Sequence, residues 1–237
     1  MSQVSDRPVL VPGAYDRLVQ RLPGTTAQPD FCLIGIDDLL NNRATTGTGD
    51  LDAGRLNAWG NSFPSRELPE PGAVIEIAGI PFVWPDANPD GDNVRSEGQV
   101  IDIPPGRYDW IYLLAASERR SEDTLWVHYD DGHADPLRVG VSDFLDGTPA
   151  FGELPAFRTA RMHYPHHVQE RLPTTMWLAR VGMPRRGRAQ ALRLPRLVAL
   201  HVFAITLVTG IDVRLADGAD GRFAGGADAR LAGGAAA

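Results

Sequence analysis

Three histidines within five positions, His163, His166 and His167, are the densest group of side chains able to do chemistry. Imidazole exchanges protons near neutral pH and is also a common zinc ligand. Adjacent side chains of an extended chain point to opposite faces, so only His163 and His167 would share a side. We therefore favour a solvated or ligand-lining loop over a metal site, with His163 and His166 as candidate catalytic residues.

A second group surrounds Trp59, which lies between Asn57 and Asn61 in a polar loop. An indole exposed in a loop can stack on the apolar face of a sugar while amides bind its hydroxyls. The alternative is an indole that anchors the loop against the domain. We predict that segments Asp52–Phe63 and His163–Glu170 meet and form one site. The predicted ligand-binding residues are Trp59, Asn61, His163, Tyr164 and His166.

The first long loop is rich in side-chain oxygens, which are the ligands that Ca²⁺ prefers. The candidate metal ligands are Asp37, Asn41, Asp50, Asp52 and Asn57. Their spacing does not match a helix–loop–helix calcium loop, and Asp and Asn also cap turns through local hydrogen bonds. A structural calcium ion and simple turn capping are therefore both open interpretations.

Asp143 is a third candidate catalytic residue, because with His201 it could form an acid–base pair or a buried hydrogen-bonded pair. Nothing in the spacing shows that the two side chains meet. The sequence contains no nucleophile elbow, phosphate loop, dinucleotide fingerprint or zinc-protease helix.

Short apolar runs separated by turn dipeptides such as Asp131-Gly132 must position these residues. Such runs have the length and the alternation of strands, and the dipeptides supply tight turns. The predicted strands are 31–36, 73–77, 80–84, 99–103, 109–115, 124–129, 137–141, 176–181, 189–194 and 197–208. Many short strands without helical periodicity predict an all-β fold, a single jelly-roll-like β-sandwich.

Composition divides the chain into three parts. Residues 1–30 contain four prolines and form a predicted N-terminal arm, and residues 31–209 form the sandwich. Residues 210–237 form a Gly/Ala/Asp-rich tail that is too poor in apolar groups to order, and we predict that it is disordered.

The charge and the apolar runs exclude some partners. The formal net charge of −7 argues against nucleic acid, which requires a concentrated basic face. No apolar run reaches the ~18 residues of a membrane span. The first residues carry no secretory signal, and Cys32 is the single cysteine, so we expect a cytoplasmic protein.

Several motifs recur in a recognisable order. They are Asp37-Asp-Leu-Leu-Asn-Asn42, Gly60-Asn-Ser-Phe-Pro64, Gly79-Ile-Pro-Phe-Val-Trp-Pro85 and His201-Val-Phe-Ala204. Over about Phe31 to Val208, the chain resembles the galactose-binding-like β-sandwich domains, of carbohydrate-binding-module type, that are appended to bacterial glycoside hydrolases. The resemblance implies a sandwich that recognises sugars, and it implies no catalytic residues. The aspartate–tryptophan pair of those domains is Asp143-Phe144 here.

We therefore expect a stand-alone module that binds a carbohydrate or a polar small molecule. The alternative is an enzyme on the same scaffold, a cyclase, isomerase or lyase of natural-product biosynthesis. A third hypothesis is an interaction module whose arm and tail recruit a partner enzyme. A homo-oligomer is also compatible with the sequence.

Overall fold

The computed structural model describes residues 29–185 and 187–209. The predicted tail and all of the predicted arm before residue 29 lie outside these residues. Within them, the chain forms strands and three short 3₁₀ helices, Asp37–Leu39, Leu51–Ala53 and Ser65–Glu67. The described part of the chain has no helix long and apolar enough to cross a membrane.

The strands follow one another along the chain with short connections. They are β1 Asp30–Ile34, β2 Thr45–Thr46, β3 Phe63–Pro64, β4 Val74–Ile77, β5 Ile80–Val83, β6 Val94–Glu97, β7 Val100–Gly106, β8 Trp110–Ser117, β9 Ser121–Tyr129, β10 Ala134–Val141, β11 Leu154–Thr159, β12 Met162–Tyr164, β13 His167–Gln169, β14 Thr174–Gly182, β15 Ala189–Arg193 and β16 Arg196–Thr209. Each of the predicted strands overlaps one of these.

Two antiparallel sheets form the sandwich. The larger has the order β1-β16-β8-β14-β11, with β6 also paired to β16, and the smaller has the order β10-β9-β15-β7. Side chains from both sheets, such as Leu113, Val127 and Leu192, fill one core. The predicted all-β sandwich is confirmed.

The centre of the larger sheet is buried on both faces, which explains why β8 is apolar from Trp110 to Ala116. Alternate residues of a strand point to opposite faces, so Ile111 and Leu113 join the core between the sheets. Tyr112 and Leu114 join a second core, which includes residues from the long segment between β1 and β6. The aromatic rings of Trp84 and Phe203 stack in that second core with centroids 5.5 Å apart.

Hydrogen bonds around Asn42 and Asp92 tie the segment after β1 to the chain that enters β6. The backbone N–H of Asp92 donates to the carbonyl of Asn42 at 2.9 Å. The buried Asp92 carboxylate accepts from the backbone N–H groups of Ala44 and Thr45 at 2.8 and 2.9 Å. We call this group of contacts, among Asn42, Ala44, Thr45 and Asp92, the joint. Because hydrogen bonds to charged groups are stronger than neutral ones, the joint fixes where the polar loop that carries Trp59 begins.

Substitution of Gly91 tests how tightly the joint is packed. A Cβ at this position would lie 2.1 Å from the Asn42 carbonyl oxygen, so the backbone itself would have to move. We expect Gly91→Ala to lower the free energy of unfolding by about 3 kcal/mol, as overpacking does. Urea denaturation measures the change. Gly49→Ala is the matched control, because nothing lies within 4 Å of its added Cβ, and an equal loss in both variants would contradict the tight joint.

Candidate functional site

An open groove of about 640 Å³ lies where the polar loop meets the larger sheet. Its walls combine an indole, aliphatic side chains and charges of both signs. The residues that shape it are Arg55, Trp59, Arg95, Glu118, Pro165 and Val198.

Trp59 is held in the groove wall by a hydrogen-bonded turn. The side-chain oxygen of Asn57 accepts from the backbone N–H groups of Trp59 and Asn61 at 3.1 and 3.2 Å. Gly60 has a φ of 70° and lies so close to Pro165 that an added Cβ would be 2.8 Å from its ring. The backbone is thus constrained, while the Trp59 side chain remains 74% exposed.

The two segments predicted to meet do so. Ser62 and His163 form an isolated antiparallel bridge, with N–H to carbonyl distances of 3.1 and 3.0 Å in the two directions. Pro165 packs against the turn that carries Trp59. The predicted meeting is confirmed, whereas the binding of a ligand by these segments stays a prediction.

His163 lies inside the domain and is not one of the side chains that line the groove. Its Nδ1 is 2.8 Å from the hydroxyl of Thr46, which lies 2.7 Å from the hydroxyl of Ser62. Burial lowers the pKa of His163, so the ring is neutral at neutral pH. Asn61 is also buried, and its amide donates to the carbonyl of His163 at 3.4 Å.

Tyr164, His166 and Asp143 also lie outside the groove lining. The half-buried Tyr164 ring stacks on His167 at 4.9 Å, and His166 is exposed. The carboxylate of Asp143 accepts from the backbone N–H of Leu145 at 2.8 Å, and burial raises the pKa of Asp143. Asp143 is therefore bound to its own turn, and His201 has a different partner.

The oxygens predicted to bind calcium contact groups of the protein itself. Side-chain oxygens of Asp37, Asn41, Asp50 and Asn57 accept from the backbone N–H groups of Asp86, Arg95, Gly47 and Trp59 respectively. The carbonyl of Asp52 accepts from the guanidinium of Arg55. Across residues 29–185 and 187–209, no three His, Cys, Asp or Glu side chains are grouped to hold a metal. Calcium binding stays a prediction.

A series of buried polar side chains extends from Glu118, in the groove wall, into the domain. Glu118 Oε1 is 3.6 Å from Arg95 Nη2 and 3.7 Å from Nε2 of His201. The His201 ring is fully buried, and its Nδ1 is 3.0 Å from Oδ1 of Asn93. The amide of Asn93 in turn donates to Asp92 at 2.8 Å.

Burial fixes the charge state of this histidine. It lowers the pKa of His201, an effect that the carboxylates of Glu118 and Asp92 oppose and the guanidinium of Arg95 reinforces. The ring is neutral at neutral pH as a result.

Sequence reasoning missed Arg55, Arg95, Glu118 and Val198, which come from four separate segments. One signal was present: His201 interrupts the longest apolar run of the chain. A histidine in the middle of an apolar strand requires polar partners, and these partners lead to Glu118.

The chain matches the family model of the AziU2-like beta-sandwich domain over residues 36–210. Since the match covers more than half of the sequence, the chain belongs to this family. A search of curated proteins found no match. The β-sandwich that the resemblance implied is thus supported by the family, and the carbohydrate-binding-module type stays a prediction.

Replacement of His163 separates a buried structural role from a ligand contact. We expect His163→Ala to lower the free energy of unfolding by about 3 kcal/mol, because the buried Thr46 hydroxyl loses its imidazole partner and a cavity forms. His166→Ala, in the same segment but exposed, should change it by less than about 0.5 kcal/mol. Chemical denaturation compares the two. Equal stability of both variants would contradict the structural role of His163.

Proposed function

We propose that this AziU2-like domain binds a carbohydrate or another polar small molecule in the groove beside Trp59. The observation on which the proposal rests is the exposed indole on a constrained turn, next to charged side chains. An exposed indole offers a large, flat stacking face, and its place on an ordered turn keeps the entropy cost of binding low.

The apolar part of the groove suits the flat face of a sugar ring. Trp59 is 74% exposed and Val198, in β16, is 54% exposed. Stacking a sugar on the indole would remove apolar surface of both molecules from water. The turn is already ordered by Asn57, so binding costs little conformational entropy in the backbone.

The charged side chains of the groove offer both hydrogen-bond donors and an acceptor to a polyol. Arg55 and Arg95 donate hydrogen bonds, whereas the carboxylate of Glu118 accepts them. The Arg55 guanidinium is oriented by the carbonyls of Asp52 and Gly54 at 2.7 and 2.6 Å. Sugar hydroxyls both donate and accept, so they complement both signs.

The second candidate function is an enzyme on the same scaffold, with a cyclase, isomerase or lyase activity. The specific observation in its favour is Glu118, which faces the groove and has the buried His201 ring behind it. Proton transfer by a carboxylate and an imidazole is common to these reactions.

Substitution of Trp59 tests the binding proposal. With a panel of monosaccharides and oligosaccharides in isothermal titration calorimetry, at least one sugar should bind the natural chain. Trp59→Ala should weaken that binding at least tenfold through loss of stacking, about 1.4 kcal/mol, while stability changes by less than about 0.5 kcal/mol.

Two controls accompany this test. Trp59→Phe keeps an aromatic face and should retain part of the affinity. Val74→Ala removes an exposed apolar side chain outside the groove lining and should leave binding unchanged. The proposal fails if no sugar of the panel binds, or if Trp59→Ala binds as tightly as the natural chain.

A further inference from the structure

His201 presents an unsatisfied nitrogen toward the groove wall. The ring is fully buried, and Nε2 has no hydrogen-bond partner among the described residues. The nearest ionisable oxygen is Glu118 Oε1, at 3.7 Å. Buried polar atoms are nearly always paired, so a lone buried nitrogen aimed at a groove carboxylate requires an explanation.

The hydrogen bonds around Asn93 determine which nitrogen of His201 carries the proton. Asn93 Nδ2 lies 2.9 Å from the carbonyl and 3.2 Å from the side-chain oxygen of Asn42, and 2.8 Å from Asp92 Oδ1. All three partners are acceptors, which identifies this atom as the amide nitrogen. Its Oδ1 must then accept from His201, so Nδ1 carries the hydrogen and Nε2 of the neutral ring has a lone pair.

Two acceptors therefore face each other across the wall of the groove. The lone pair of Nε2 and the carboxylate of Glu118 repel one another unless one proton lies between them. Glu118 is in contact with the groove, and its side chain is 22% exposed, whereas His201 is sealed from solvent. A proton can thus enter or leave this pair through Glu118.

We propose that Glu118 and His201 form an acid–base dyad in the groove, in which Glu118 exchanges a proton with an O–H or N–H group of the bound molecule. His201 is the positioning residue, which holds the proton-bearing oxygen of Glu118. This inference rests on the proposed binding function of the groove and adds proton transfer to it.

The proton transfer balances within the pair. A proton leaves an O–H or N–H group of the bound molecule and bonds to a carboxylate oxygen of Glu118. The resulting carboxylic acid donates its hydrogen to the lone pair of His201 Nε2, and the bound molecule keeps the electron pair. The reverse transfer makes Glu118 the acid.

Charged groups of the neighbouring segment surround the dyad. Arg95 in β6 lies 3.6 Å from Glu118. Its guanidinium disfavours the charged form of His201, whereas the carboxylate of Asp92, which precedes β6, favours it. The Arg95 guanidinium is itself directed by the carbonyl of Arg55 at 3.2 Å.

Nuclear magnetic resonance of the full chain labelled with ¹³C and ¹⁵N tests the dyad without any ligand. At pH 8, we expect a proton on Nδ1 of His201 and none on Nε2. As the pH falls, the carboxyl carbon of Glu118 and the Nε2 signal should change with one common midpoint, because they share one proton.

Glu118→Gln should abolish that shared transition in the His201 signals. Glu122→Gln, which removes an exposed carboxylate paired with Arg138 at 2.8 Å, is the matched control and should leave it in place. Separate midpoints for Glu118 and His201, or a proton on Nε2 at pH 8, would overturn the dyad.

Because the titration contains no sugar, it is independent of the sugar-binding measurement. If Glu118 and His201 share one transition but no sugar of the panel binds, the binding proposal alone is wrong. If a sugar binds but Glu118 and His201 titrate separately, the dyad alone is wrong.

Discussion

The side-chain amide of Asn93 is the interaction on which the rest of the site depends. It donates to Asn42 and Asp92 and accepts from His201, so it connects the polar loop, β6 and the longest strand of the larger sheet. The Asp92 carboxylate extends this joint to Ala44 and Thr45. Removal of one member would leave several buried polar groups unpaired, which costs far more than one hydrogen bond contributes. We infer that this network constrains where the polar loop lies on the sheet.

The groove follows from that constraint. The loop leaves the joint and turns at Asn57, and Ser62, directly before β3, pairs with the backbone of His163. The lining of the groove then combines Trp59 from the loop with side chains from the larger sheet, among them Val198. The proposed function and the proposed dyad use different parts of this groove, because the indole would stack on the ligand and Glu118 would exchange its proton.

Patterns that depend on neighbouring residues were predictable from the sequence, and contacts between distant segments mostly were not. The apolar runs 73–77 and 80–84 predicted the two strands Val74–Ile77 and Ile80–Val83, which pair as a hairpin. The strand Val94–Glu97 was missed because its sequence contains Arg, Ser and Glu, and pairing with β16 supplies its stability. The meeting of the Trp59 and His163 segments was predicted from their chemistry. Burial of His163 was not, since it depends on Thr46, over a hundred residues away. Glu118 lies in the turn between β8 and β9, where a charged residue has no local signal of function.

Native-state hydrogen exchange at the joint tests this account most directly. The amide protons of Ala44, Thr45, Asp92 and Asn93 should exchange only through opening of the whole domain. The free energies of opening measured at these amides should then match the value for the amide of Leu114, at the centre of the larger sheet. If the amides of Ala44 and Thr45 exchanged at the rate of an exposed loop while Leu114 stayed protected, the polar loop would open independently of the sheet. A loop that opens in this way could not hold Trp59 in place, and the account of the groove would be wrong.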